Sequence, residues 1–392
     1  RILMEILELK YGCNPNQKPA EIRSVGCDFP FKVLNGNPGY INFMDALNSW
    51  QLVKELKTVL NMPAAASFKH VSPAGAAIGL PLNKELKKAY FVDDIDLSPI
   101  AAAYARARGA DRMSSFGDWA ALSDIVDKAT ATILRKEVSD GVIAPGFTTE
   151  ALEILKQKKG GKYNIIEIAP SYEPSEIEIR HIYGIEFVQK RNNVIPGFED
   201  IKNIVTDNKK LSDEAKRDMI LAMITLKYTQ SNSVCYVFDG QVVGCGAGQQ
   251  SRIHCTRLAG DKADIWYLKQ HPRVLSLKFK EGAGRPERDN AIDLFVRNDA
   301  TEFELNMLKD VLEEVPERLS AYDRETWLKG LQNVTLGSDA FFPFRDNIDR
   351  AYKSGVKHIV QPGGSVRDKV VVNSCNEYGM VMVMTGLRLF HH

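Results

Sequence analysis

Lys69 and His70 stand side by side in Phe68-Lys69-His70-Val71-Ser72-Pro73, and an ammonium next to an imidazole can run proton-transfer chemistry. A neutral histidine accepts a proton near neutral pH, while a neighbouring ammonium stabilises negative charge or returns a proton. The pair follows a small apolar run, Pro63-Ala64-Ala65-Ala66-Ser67, that reads as a buried strand. The Ser-Pro-Ala-Gly-Ala after it reads as a turn into a helix. Both side chains would then project from a strand end, where α/β proteins place their sites. The alternative is a surface Lys-His dipeptide, since a chain with seven histidines is expected to hold some such pair by chance.

Three other segments concentrate side chains suited to holding a ligand. Thr229-Gln230-Ser231-Asn232-Ser233 sets five hydrogen-bonding side chains in a row; it either orients a ligand or ends a helix, because Ser and Asn favour local backbone bonds. Gly244-Cys245-Gly246-Ala247-Gly248 runs into Gln249-Gln250-Ser251-Arg252-Ile253-His254. Such a loop lets a ligand approach the backbone, offers amide donors at a helix start, and puts Arg252 in reach of an anion as a bidentate clamp. It lacks both the Lys-Ser/Thr of a P-loop and the GxGxxG spacing, so one phosphate or carboxylate is the ligand it suggests; a plain hairpin-to-helix connection is the other reading. Ser338-Asp339-Ala340-Phe341-Phe342-Pro343-Phe344-Arg345-Asp346 puts three phenylalanines beside two carboxylates and an arginine. Buried packing explains the phenylalanines, and a flat heteroaromatic ligand with Asp346 on its ring nitrogens would use the same set. Leu387 to His392 reads as native chain docked on the body rather than as the stub of an affinity tag.

The elements that must position these residues alternate in α/β fashion. Helices are expected at 98–110, 149–158, 211–227, 254–269 and 345–354. The third has Ser212 or Asp213 as its cap and Ile220, Met223, Ile224 and Leu226 on an apolar face. Ser233 to Phe238 and Gln241 to Cys245, joined by Asp239-Gly240, give the strongest hairpin signal, because a type I′ turn needs positive φ at both centres. A faint repeat is also visible. Phe116-Gly117-Asp118 precedes Gly141 to Gly146 and a helix from Thr148, as Phe344-Arg345-Asp346 precedes His358 to Gly363 and a helix from Ser365. Two related α/β halves would explain it, although strand, Pro-Gly and helix recur in any α/β chain. The boundary is expected in the polar stretch 191–210, giving units 1–200 and 201–392.

At 392 residues the chain exceeds what one core usually organises, which also favours two units. Its hydrophobic fraction of 44% is a globular value, and no apolar run approaches the ~18 residues of a membrane span. A net charge of +1 offers no basic excess for nucleic acid. The cysteines at 13, 27, 235, 245, 255 and 375 show no CxxC pair and no zinc spacing, so reduced thiols in a cytoplasmic protein are expected. The first residue is Arg1 rather than methionine, and further chain upstream is expected.

Taken together, Lys10-Tyr11-Gly12 with Asn14-Pro15, Ser67 to Gly75, Arg112 to Asp118, Thr229 to Ser233, Gly246 to His254, Ser338 to Asp346 and Arg388 to His392 resemble AICAR transformylase along essentially the whole chain. In most organisms that activity is the C-terminal part of a bifunctional purine-synthesis enzyme, whose inosinate cyclohydrolase part is missing from this sequence. The resemblance implies transfer of a formyl group from 10-formyltetrahydrofolate to the 5-amino group of 5-aminoimidazole-4-carboxamide ribonucleotide. It implies His70 as the base, Lys69 as the group that stabilises the oxyanion and supplies a proton, and Asn232 as the side chain that holds the reacting groups in register. It places ribotide contacts on Lys10, Tyr11, His70, Gly117, Asp140, Asn232, Arg252, Phe341 and Arg388, and folate contacts on Ile253, Asp346, Ser365 and Val366. It further implies two related cytidine-deaminase-like subdomains of three α/β/α layers, and a homodimer with active sites at the interface. A structural potassium ion would lie near Thr229, Ser231, Ser233, Asp339 and His391. No zinc is expected, because the HxE and PCxxC ligand pattern of true deaminases is absent. One departure bears on binding: relatives usually carry arginine where this chain has Lys10, and lysine cannot make the same bidentate phosphate contact, so the phosphate would lean on Arg388 or Arg252. The rival readings are a hydrolase on the same fold and a catalytically silent nucleotide-binding protein.

Overall fold

Residues 4–24 and 26–392 are described by the computed structural model. Their strands, in chain order, are β1 (Ile6–Leu9), β2 (Ala20–Arg23), β3 (Phe31–Asn35), β4 (Ala64–Lys69), β5 (Ser72–Ile78), β6 (Asp118–Leu122), β7 (Ser139–Ala144), β8 (Asn164–Ile168), β9 (Ile177–Ile182), β10 (Ile185–Lys190), β11 (Val234–Phe238), β12 (Gln241–Gly246), β13 (Val334–Ser338), β14 (Val356–Gln361) and β15 (Val381–Met384). Eleven of them form one sheet in the order β15-β14-β13-β11-β12-β5-β4-β6-β7-β8-β3. Outward from the centre, β5-β4-β6-β7-β8 and β12-β11-β13-β14-β15 are the same arrangement twice. Each is a two-residue hairpin, a strand antiparallel to the hairpin's first arm, and two parallel steps. The halves join where β12 runs antiparallel to β5, at Gln241 and Ala77.

The repeat read from the sequence is half right in register. Gly141 to Gly146 and His358 to Gly363 fall on the equivalent strands β7 and β14 and their exits. Phe116 precedes β6, however, whereas Phe344 follows β13, so those two triplets are not counterparts.

Helices cover both faces of the sheet. Tyr40–Leu60 and Asp213–Lys227 pack on one face with Ala64, Ala66, Phe68, Cys235 and Val237. Pro99–Gly109, Lys128–Lys136, Thr149–Gln157, Arg252–Leu268, Asp346–Lys353 and Asp368–Glu377 supply the other core with Ala65, Ala77, Val234 and Tyr236. Neighbouring strand residues go to opposite cores, as the period of two requires. The five expected helices are present within two residues of their expected ends. The longest, Tyr40–Leu60, carries no expectation from pattern because Asp45, Ser49 and Glu55 occupy buried positions and spoil its apolar stripe. Between Leu268 and Leu331 a group of short helices has a core of its own, around Val274, Leu294, Phe295 and Leu308. Among the described residues, no helix is long and apolar enough to cross a membrane.

Ser72 to Ile78 is a central strand, not the turn into a helix that its composition suggests. Pro73 is tolerated because the ladder shifts register between Ser67 and Phe68, beside it, so its missing N–H interrupts no regular bond. Gly75 is required by close packing: a Cβ there would sit 2.0 Å from the Ala107 carbonyl oxygen. Gly244, at the equivalent place on β12, would put its Cβ 2.2 Å from the Ala259 carbonyl oxygen. One helix therefore rests directly on backbone in each half. Gly75→Ala and Gly244→Ala are each expected to lower the unfolding free energy by about 1–3 kcal/mol, the usual cost of overpacking. Urea denaturation checks this, and a variant as stable as the unmodified chain would mean that the helix can step back from the sheet.

Candidate active site

His70 and Val71 form the tip of the first hairpin, with φ of 52° and 59°. Asp239 and Gly240 form the tip of the second, with φ of 49° and 74°. Positive φ at both centres is the type I′ requirement, and Asp-Gly meets it easily. His-Val does not, because a β-branched residue in the left-handed region is strained, at about 1–3 kcal/mol. A buried carboxylate bonds each turn from below. The Val71 N–H donates to Asp45 Oδ1 at 2.8 Å, and the Gly240 N–H donates to Asp218 Oδ1 at 3.0 Å. Asp45 comes from helix Tyr40–Leu60 and Asp218 from helix Asp213–Lys227.

Burial pushes the Asp45 carboxyl up to about 6, against the downward pull of the Val71 hydrogen bond and of His70; Asp140 and Asp118 add to the rise. Burial likewise pushes Asp218 up to about 6, with Arg217 and the Gly240 amide pulling down. A carboxyl raised in the folded state contributes stability below its ordinary value of 3.8 and loses it as pH rises through about 6. At neutral pH each ionised carboxylate therefore costs on the order of 3 kcal/mol.

Lys69 ends β4, and its Nζ donates to the Phe116 carbonyl at 2.5 Å, which ties the ammonium to the turn that leads into β6. Gly117, in that turn, has φ of 76°, and a Cβ there would lie 3.6 Å from Asp140 Oδ1. Asp140 pairs with Lys159 at 3.2 Å. Beneath them Asp118 accepts from Ser67 and Tyr104 hydroxyls at 2.7 Å each and meets Arg108 at 3.0 Å. Lys69, Gly117 and Asp140 thus line one floor below the exposed His70.

A second group gathers around the 229–233 loop. Ser231 Oγ and the Ser233 N–H donate to Asp339 Oδ2 at 2.5 and 3.1 Å. The His391 N–H donates to Ser231 Oγ at 3.0 Å, and the Leu389 N–H to the Asp339 carbonyl at 2.8 Å, so the last residues are docked against this loop. Arg252 is not the free anion clamp that the sequence suggests. Its guanidinium is buried, with Nη1 bonded to Asp339 and Nη2 donating to Asn232 Oδ1 at 2.9 Å. Asn232 also donates from Nδ2 to the Gln250 carbonyl at 3.2 Å. One bond ties the two groups together: the Gln230 N–H donates to Ser72 Oγ, beside the first hairpin tip, at 3.1 Å.

The sequence profile described as AICARFT/IMPCHase bienzyme matches residues 2–262. The chain belongs to the AICARFT/IMPCHase family. Relatives include three proteins each called bifunctional purine biosynthesis protein PurH. The one from Clostridium acetobutylicum is 32% identical over 391 residues, 98% of this chain and 59% of its own. That from Elusimicrobium minutum is 29% identical over 396 residues, 100% of this chain and 59% of its own. That from Acetivibrio thermocellus is 28% identical over 394 residues, 99% of this chain and 60% of its own. The chain spans about three-fifths of the length of the curated relatives it matches.

The other residues expected at the site are spread over several elements. Lys10, exposed, and Tyr11, half-buried, follow β1. Arg388 is exposed, with its guanidinium 4.5 Å over the Phe390 ring. Of the three phenylalanines between Ser338 and Asp346 only Phe342 is buried; Phe341 is 41% and Phe344 51% exposed, so packing does not explain those two. Asp346 begins helix Asp346–Lys353, half-buried. Ser365 accepts from the Arg367 N–H at 3.1 Å, and Val366 is fully exposed. Ile253 is half-buried in the first turn of helix Arg252–Leu268. Two cavities of about 490 Å³ lie elsewhere and include neither Lys69 nor His70. Among the described residues, no three His, Cys, Asp or Glu side chains are grouped to hold a metal ion. All six cysteines are free thiols.

The residue that motif reading missed is Asp45, and its only signal was an acid among apolar neighbours in Phe43-Met44-Asp45-Ala46. The strained tip is itself testable. Val71→Gly should leave stability unchanged or raise it by up to about 1 kcal/mol although it removes a half-buried isopropyl group, because glycine accepts the turn's φ freely. A loss above about 1 kcal/mol in urea denaturation would show that packing at Val71 outweighs the backbone term.

Proposed function

We propose that the chain transfers the formyl group of 10-formyltetrahydrofolate to the 5-amino group of 5-aminoimidazole-4-carboxamide ribonucleotide, giving the formamido ribonucleotide and tetrahydrofolate on the route to purine nucleotides. The amine is a poor nucleophile, because its lone pair is delocalised into an imidazole that carries an electron-withdrawing carboxamide. As the amine nitrogen attacks the formyl carbon, His70 takes its proton. The Lys69 ammonium faces the oxyanion of the tetrahedral intermediate, and collapse expels the folate N10, which takes a proton from Lys69; the proton gained by His70 then restores the ammonium. Asn232 orients the reacting groups, exposed Phe341 faces the ribotide, and Asp346, with exposed Phe344 nearby in sequence, suits a flat folate ring.

The observation that carries this reading is the hairpin tip of a family member presenting Lys69 and His70 over Gly117 and Asp140, with the Asn232 loop bonded to its next residue, Ser72. The reading extends to two cytidine-deaminase-like units, 1–200 and 201–392, supported by the repeated strand order. Potassium, if bound, would be held by oxygens of Thr229, Ser231, Ser233 and Asp339 and by the chain at His391. Ser233 Oγ fits that role, being buried without a hydrogen-bond partner. The ion would tie the loop to the C-terminal residues and takes no part in the chemistry. Six free thiols suit the reducing cytoplasm.

The proposed assembly is a homodimer with shared active sites. The hairpin of β9 and β10 supports it: every residue of both strands is exposed, among them Ile177, Ile179, Ile185, Phe187 and Val188. An isolated two-stranded hairpin is marginal in water, so a surface that covers it is required. Its Arg180 Nη2 donates to the His392 carbonyl at 2.6 Å, which places the arm beside the residues that carry Arg388. A second copy of this chain is the occupant we infer, and sedimentation equilibrium should give twice the chain mass. Replacing Ile179, Phe187 and Val188 together by serine should give the single-chain mass with folding retained, and dimers that persist in that variant would move the interface elsewhere.

His70→Ala is expected to abolish tetrahydrofolate release while ribotide binding stays within about tenfold, or ~1.4 kcal/mol. A spectrophotometric assay with both substrates, alongside calorimetry with the ribotide alone, separates the two. Full turnover by this variant would remove His70 from the mechanism, and no release by the folded, unmodified chain would overturn the formyl-transfer reading.

A further inference from the structure

We propose that Asp45 is the positioning residue of His70: its carboxylate fixes the tip of the first hairpin through the Val71 amide and supplies the negative charge that stabilises the imidazolium formed when His70 takes the amine proton. The inference deepens the formyl-transfer reading and rests on it. Asp45 is 6% exposed, and the Val71 bond at 2.8 Å is its one hydrogen bond among the described residues. The residue it grips lies directly after His70, at a turn whose two left-handed residues would otherwise relax toward ordinary backbone geometry.

The duplicated half supplies an internal comparison. Asp218 makes the same bond to Gly240, so holding the turn is a property of the fold, shared by both halves. The two carboxylates differ in their counter-charges. Asp218 is paired with Arg217 at 3.2 Å. Asp45 makes no ion pair with a lysine or arginine among the described residues, and its bond to the Val71 amide sets it against the residue that directly follows His70. The other carboxylates in the neighbourhood are already paired. Asp118 of β6 lies against Arg108 at 3.0 Å, Asp140 of β7 pairs with Lys159 at 3.2 Å, and the Lys69 ammonium rests on the Phe116 carbonyl. An asparagine would hold the turn equally well without the cost of ionising a buried acid at neutral pH. The charge at Asp45 therefore serves the imidazole, and in the reaction the proton moves from the amine nitrogen to the His70 ring while Asp45 remains ionised.

The test compares Asp45→Asn, Asp218→Asn and Asp45→Ala with the unmodified chain, following kcat and kcat/KM from about pH 5 to about pH 9, the range in which histidine bases switch. Asp45→Asn is expected to lose about tenfold in kcat, a share of what general-base catalysis contributes, with ribotide binding unchanged within about twofold. In the unmodified chain Asp45 gains a proton near pH 6 in addition to the protonation that limits any base, so the acid limb of log kcat/KM should fall more steeply than one proton allows. In Asp45→Asn it should follow a single proton. Asp218→Asn should keep the unmodified turnover and limb. Asp45→Asn with unmodified turnover and limb would overturn the charge role, as would an equal loss in Asp218→Asn. Hydrogen exchange of the Val71 amide needs no substrate: it should be slow in the unmodified chain and in Asp45→Asn, and fast in Asp45→Ala. Equal protection in all three would overturn the turn-holding role. If the unmodified chain releases no tetrahydrofolate, the imidazolium role falls with the formyl-transfer reading, while the amide exchange still decides whether Asp45 holds the turn.

Discussion

A hydrogen bond from the second amide of a two-residue turn to a carboxylate buried in the helix below is made twice in this molecule, and the geometry at both ends of the central sheet depends on it. The bond is costly to keep, because each carboxylate is buried enough to hold its proton up to about pH 6. What it secures is a turn with both centres in the left-handed region. In the second half the residues at the tip, Asp239 and Gly240, want that conformation. In the first half His70 and Val71 do not, and there the carboxylate restrains a strained backbone whose product is an exposed imidazole at a fixed place. Strain that collects at one of two otherwise equivalent turns is a mark of use, since the fold alone would be satisfied by Asp-Gly at both.

The floor under that tip is held by charges that never reach the surface. Asp118 contacts Arg108, Arg108 contacts Glu137 at 3.4 Å, and Arg112 joins Glu137 to Asp289, at 2.9 Å each, from a helix of the separate helical group. Burial pushes the Glu137 carboxyl up, but the two guanidiniums outweigh it and hold it below the usual carboxylate range. Such pairs are poor evidence for stability, because desolvation offsets most of the attraction. Their consequence is positional: the Phe116 carbonyl that anchors Lys69 lies two residues before Asp118, so the chain of pairs sets where the ammonium stands. The second group uses a similar device, in which Asp339 collects Ser231, Ser233 and Arg252, while Arg252 also donates to the Ser233 carbonyl and to Asn232 Oδ1.

Much of the frame was legible along the chain because its signals are local. Ser98, Thr148 and Ser212 each cap a helix through the side chain, and Asp239-Gly240 turns the hairpin that such a pair announces. Legibility stopped where one element's pattern was set by another. Ala-Gly-Ala in β5 looked like a turn because it is small, yet it is small because helix Pro99–Gly109 lies on it. Helix Tyr40–Leu60 lost its apolar stripe to Ser49, bonded within the helix, and to Asp45 and Glu55, whose partners Val71 and Lys227 lie outside it. Arg252 looked like an anion clamp until Asp339, far along the chain, took its guanidinium.

The sequence by itself determined the helix starts at Ser98, Thr148 and Ser212, the Asp-Gly turn and the set of residues that mark the family, because capping, turn chemistry and motif identity are read within a few residues. Only the tertiary structure decided that His-Val is also a left-handed turn, that Asp45 lies beneath it with no lysine or arginine ion pair among the described residues, and that the Asn232 loop bonds to the same hairpin. Those facts are contacts between segments separated by tens to hundreds of positions, and their energies come from burial and close approach, which no local stretch of the chain contains.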